Sequence, residues 1–116
     1  MDTPVDDAIG IVSKWLNESA PLVLSVVTDG VLFSLEGSII SIRSKAFVVA
    51  RKNAQGEAVC HVTINLERME SIDYHEVREI PPELRGAIGD RVISVLSMRY
   101  MGKLGHCCIY ELTRSL

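Results

Sequence analysis

The sequence predicts a mainly β (α+β) domain: a small, strongly bent barrel led by an N-terminal amphipathic helix and followed by a C-terminal β-hairpin. Three observations predict it. Pro21–Ala50 is dense in Val, Leu, Ile and Ser and is broken by Asp29-Gly30, Gly37 and Ser44-Lys45, the pattern of strands joined by turns. Cys60, Val62, Ile64 and Leu66 alternate with His61, Thr63, Asn65 and Glu67, as in a strand with one wet side. Val5, Ala8, Ile9, Val12, Trp15 and Leu16 recur at three- and four-residue steps, which is one helical stripe.

The chain of 116 residues is read as a single domain, 1–116, because either half would be too small to bury a core unaided. Hydrophobic residues make up 47% and aromatics 5%, so the core is aliphatic. A small chain this apolar either packs tightly or presents apolar surface to a partner.

Taken in order, the helix spans about 4–18. Thr3 is the expected N-cap, Pro4 the first helical residue and Asp6 the capping-box acid, and Pro21 stops the helix. Leu22–Thr28 and Val31–Ile42 form a hairpin through Asp29-Gly30, both of which tolerate positive φ. Val31, Phe33 and Leu35 are expected to face inward, and Gly37, where the phase becomes ambiguous, marks a bulge or sharp bend. Ala46–Arg51, the polar turn Lys52–Glu57 and Ala58–Met69 follow. With a fifth strand or irregular edge inside Ser71–Ile80, the barrel covers about 22–80. A Pro-rich turn occupies about 81–90 and a hairpin about 91–113, its strands being Arg91–Tyr100 and Gly105–Leu112. Leu84, Ile88, Val92, Val95 and Met98 also fit a helical period, so residues 82–98 have a one-helix alternative. Gly86, Gly89 and the Val-Ile-Ser-Val run favour the hairpin.

The order of helix, short strand, Asp29-Gly30 turn, long strand with Gly37 and Ile39, third strand, polar turn at Asn53–Gly56 and fourth strand resembles the Sm-like fold, a small SH3-like barrel. The resemblance covers about residues 4–80. It implies a helix capping a bent five-stranded barrel and makes assembly through strand edges an expectation. The family's RNA-binding motifs are not matched. Arg43-Ser44-Lys45-Ala46 stands where an Asp-x-x-Asn-type loop belongs, and Asn65-Leu66-Glu67-Arg68-Met69 where a glycine or basic motif belongs.

The net charge of −3 argues against a phosphate-driven binder, although Arg43, Lys45, Arg51 and Lys52 form an acid-free basic segment. Three cysteines, two of them adjacent, make no disulfide framework. Reduced thiols and an acidic start without a signal-peptide pattern predict a cytoplasmic protein. No apolar run approaches the ~20 residues that span a bilayer. Cys60-His61 and His106-Cys107-Cys108 lack zinc-ligand spacing, so no metal or cofactor is expected. Tyr74-His75-Glu76 has no nucleophile beside it, and no catalytic motif appears. The reading is a non-enzymatic module acting by protein–protein contact or self-assembly into a homo-oligomer. Its alternative is RNA binding through Arg43, Lys45, Arg51 and Lys52. Arg99 and Tyr100 form a second candidate contact, since arginine and tyrosine are enriched at interfaces.

Overall fold

The computed structural model describes residues 3–79, 81–85, 91–100 and 105–113. Helix α1 (Val5–Glu18) precedes strands β1 (Leu22–Thr28), β2 (Val31–Arg43), β3 (Ala46–Lys52) and β4 (Ala58–Asn65). After a 3-10 turn at Leu66–Arg68 come β5 (Met69–Glu76), the short helix α2 (Pro82–Arg85), β6 (Val92–Tyr100) and β7 (Gly105–Leu112). All seven strands belong to one antiparallel sheet in the order β4-β3-β2-β1-β7-β6-β5.

The expected barrel is corrected in two respects. Its closure is not found, since β4 and β5 end the sheet and share no ladder. Nor do residues 22–80 form a unit to which a hairpin is appended: β7 pairs with β1 from Leu22↔Glu111 to Thr28↔Gly105. The C-terminal hairpin therefore supplies the middle of the sheet. Strand β6 also rules out a single helix over 82–98, while Gly86 and Gly89 lie outside the described residues. The β-branched Val-Ile-Ser-Val run suits a half-buried pleated surface better than a helix.

Three ladder reversals lead from β1 to β4 through β2 and β3, and three from β1 to β5 through β7 and β6. β4 and β5 thus run in the same sense, yet only Leu66–Arg68 separates them. Side-by-side parallel strands need a crossover of roughly a dozen residues. β5 therefore sets off where β4 leaves off, and the sheet folds back on itself around that corner.

β2 makes the second corner. Its first half pairs with β1 as far as Leu22↔Gly37, and its second half pairs with β3 from Ser38↔Ala50 onward. A Cβ on Gly37 would lie 2.1 Å from the Ala50 carbonyl oxygen, so only glycine fits where the strand changes partners. The bulge itself falls later, between Ile39 and Ser41. Asp29 (φ 50°) and Gly30 (φ 78°) form the positive-φ hairpin turn that their chemistry demands.

The concave side is filled by Leu22, Leu24, Leu35, Phe47, Ile64, Leu96 and Ile109, with Ala8, Val12 and Trp15 of α1 laid into it. Val5, Ile9 and Leu16 flank these and are half-buried, so the predicted stripe is the packed one. The start of α1 differs from expectation. Pro4 is the N-cap, with no side-chain cap bond. Thr3 is committed elsewhere: its N–H donates to the Ile72 carbonyl, and its Oγ1 accepts from the Tyr74 N–H at 3.1 Å. Those bonds cover the free edge of β5. The helix ends before Pro21 in a Schellman arrangement, with Ser19 left-handed (φ 50°), the Ser19 N–H on the Leu16 carbonyl and the Ala20 N–H on the Trp15 carbonyl.

Two substitutions test these features. Gly37→Ala should destabilise the fold by about 3 kcal/mol through backbone overpacking, lowering the urea midpoint at an unchanged slope. Ser19→Gly should stabilise by about 1 kcal/mol by relieving the left-handed strain, raising Tm by about 4 °C.

Candidate functional site

The basic segment does not converge. Arg43 and Lys45 sit at the β2–β3 turn, whereas Arg51 and Lys52 are at the far end of β3. Five residue steps along β3, about 17 Å at ~3.3 Å per residue, separate Ala46 from Arg51. A surface depression of about 350 Å³ touches Arg43, with Ile42, Phe47 and Thr63 among its lining residues, but none of the other three cations lines it.

Adjacent residues in a strand face opposite ways, and this separates the remaining candidate pairs. Arg99 is exposed and Tyr100 packs toward the core. His61 is exposed while Cys60 lies against the core, and His106 is exposed while Cys107 is buried. Among the described residues, no group of three or more His, Cys, Asp or Glu is placed to hold a metal ion. His75 is exposed, and Glu76 pairs instead with Arg78.

Burial pushes Cys107 up from 9.0 to about 12, against the opposing effect of a hydrogen bond with Tyr100. Tyr100 is itself raised to about 12, first by burial and then by Cys107. On the opposite face, burial raises Tyr110, with Cys108 adding to the effect, and the Cys108 thiol lies 3.7 Å from Ser97 Oγ. The two neighbouring cysteines thus each have a tyrosine companion, one inside the sheet and one outside.

The convex face carries the most distinctive surface. In the ladder registers Leu32↔Val27, Val27↔His106 and His106↔Arg99, four side chains line up across β2, β1, β7 and β6. Leu32, His106 and Arg99 are exposed and Val27 is half-buried. At ~4.8 Å between strands, the row is about 14 Å long. Beside it, Val31 and Phe33 occupy the inner side of the hairpin yet are 62% and 40% exposed, and Leu32 is 68% exposed. Their alternation with Leu35 is as predicted, but only Leu35 is buried. Toward the β1–β2 turn the inward side chains leave the core, Val26 still packing against it while Val31 and Phe33 stand largely open. Alternation alone could not reveal this, because it reports the face and not the reach of the packing beneath it. The signal available in the sequence was the run Val31-Leu32-Phe33, apolar on both strand faces directly after a turn.

No helix is long and apolar enough to cross a membrane among the described residues. No family model matches the chain, and neither a curated protein nor a solved structure matches it.

The buried thiol gives a direct check. Folding favours its protonated form, so the contribution is complete below pH 9 and is lost as pH rises toward 12. Cys107 should resist a thiol-specific disulfide reagent at pH 8 until the protein unfolds, and the denaturation midpoint should fall between pH 9 and 12.

Proposed function

We propose that the chain is a non-enzymatic module that works through protein contacts, association with its own copies included. The observation that carries this reading is the β1–β2 end, where Val31, Leu32 and Phe33 stand open to solvent in succession. Val31 and Phe33 stand on one face and Leu32 on the other, and exposed apolar side chains gathered at one end of a sheet mark contact surfaces. Arg99 and His106 border Leu32 and Val27 along the same row, and an apolar centre with an arginine at its rim is the usual anatomy of an interface. RNA binding through Arg43, Lys45, Arg51 and Lys52 has less support, because those four cations lie at two ends of β3 and a backbone-tracking groove needs them in line.

Sedimentation velocity over a thousandfold concentration range tests this. The mass should rise with concentration, and Leu32→Glu should weaken the association at least tenfold with Tm unchanged. A strict monomer throughout would remove self-association from the account.

A further inference from the structure

The sheet has two edges, and the chain treats them differently. The β5 edge is covered by Thr3, which both donates to and accepts from its backbone. β4 has a ladder with β3 alone, and Ala58, Val59, His61, Thr63 and Asn65 along it are exposed. Proteins ordinarily blunt an open edge with lysine, proline or a very short strand. β4 is eight residues long and reads Ala-Val-Cys-His-Val-Thr-Ile-Asn, with no Lys, Arg, Asp, Glu, Pro or Gly. Its one irregularity, between Arg51 and Lys52 of β3, leaves Val59 without a partner at the start. Cys60–Asn65 remain regular, and on the side away from β3 their backbone donors and acceptors have no partner among the described residues, on a segment of high β-propensity.

We propose that this edge pairs antiparallel with β4 of a second copy of the chain, joining two sheets across a twofold axis. The inference rests on the self-association proposed above, but it assigns it a different surface. Another strand matches such a row of backbone groups along its whole length, and the flanking charges select the antiparallel orientation. Arg51, Lys52 and Glu57 lie at the start of β4, and Glu67, Arg68 and Glu70 beyond its end. A parallel partner would set each of these beside its own copy. The antiparallel one brings the start of one strand to the end of the other, where cations meet acids of the opposite end.

The geometry also restricts the register. Facing residues in an antiparallel ladder either both point their N–H and C=O at the partner or both point them away. Outward-pointing residues in one strand alternate, so residues paired across the axis are an even number of positions apart and the axis passes through a residue. For the regular stretch Cys60–Asn65, that residue is Val62 or Thr63. His61 then faces Thr63 of the other copy, or Thr63 faces itself.

His61→Lys with Thr63→Lys therefore places lysines opposite one another in either register, at two positions exposed in the single chain; like charges directly opposed are destabilising. The test uses the full chain carrying Leu32→Glu, which disables the apolar β1–β2 end. Sedimentation of this protein should still show a dimer, and adding the two lysines should raise its dissociation constant at least tenfold. Hydrogen exchange of residues 60–65 should slow as concentration rises through the dimerisation range. A monomeric Leu32→Glu protein would overturn the β4 pairing while leaving the apolar-end association standing, and a wild-type monomer would remove both. Concentration-independent protection of those amides of residues 60–65 that point away from β3 would place a segment of the same chain on the edge and also overturn it. If the lysine variant fails to fold by circular dichroism, the exchange measurement decides.

Discussion

The close passage of Gly37 over the Ala50 carbonyl is the contact on which the remaining architecture turns. A β2 strand confined to β1 would leave the β3–β4 pair unattached to the rest of the sheet. Because β2 changes partners at that residue, its first half belongs with β1 and its second with β3, and the sheet curves enough to enclose a core. That core is almost wholly aliphatic, closed by one tryptophan and one phenylalanine. It needs the curvature, since a flat sheet of these side chains would present its apolar face to water and a single helix could not cover it. The bend converts modest side chains into an enclosed volume, with α1 as the one helix laid into it.

Much of this could be read from residue types, and the limits are equally physical. The helix stripe, the Asp29-Gly30 turn and the special status of Gly37 are local properties, set by periodicity and by which residues tolerate positive φ or close approach. The fourth strand, by contrast, expected to run on to Met69, ends at Asn65 and gives way to the 3-10 turn at Leu66–Arg68 before β5 begins. Strand order is not local. Nothing about Cys107 or Ile109 announces that β7 lies between β1 and β6, because a central strand and an edge strand share the same alternation. Five strands over residues 22–80 therefore suggested a barrel that the two later strands interrupt. Thr3 illustrates a smaller failure of the same kind. Its hydroxyl suits an N-cap, but the backbone of β5 lies within reach and takes the bond instead.

The candidate site divides along the same line. Basic residues close in sequence looked like a cluster, and β3 holds them apart at its two ends. Arg99 and Leu32, 67 positions apart, share one surface row only because β1 and β7 are neighbours. Sequence proximity along an extended strand separates side chains, by face at one step and by distance at five. Register between strands brings them together. A surface built on a sheet is therefore the kind of site for which a single sequence is least informative, and a core-facing row such as Cys60, Val62, Ile64 and Leu66, set by simple alternation, is among the most legible.

The position of β7 also bears on how the chain reaches this structure. Of the seven strands of the sheet, β1 leaves the ribosome before the other six and β7 after them, yet the two are neighbours in the middle of the sheet. Until β7 arrives, β1 has only β2 beside it, and β5 and β6 have no attachment to the β1–β4 half except the corner at Leu66–Arg68. Closing a loop of more than seventy residues between Thr28 and Gly105 costs entropy that only the finished ladder offsets, and contacts so distant in sequence slow folding. Assembly of the sheet is thus held back until β7 has been synthesised, and during that interval the open edge of β1 and the apolar face beside it are the surfaces most in need of protection by chaperones.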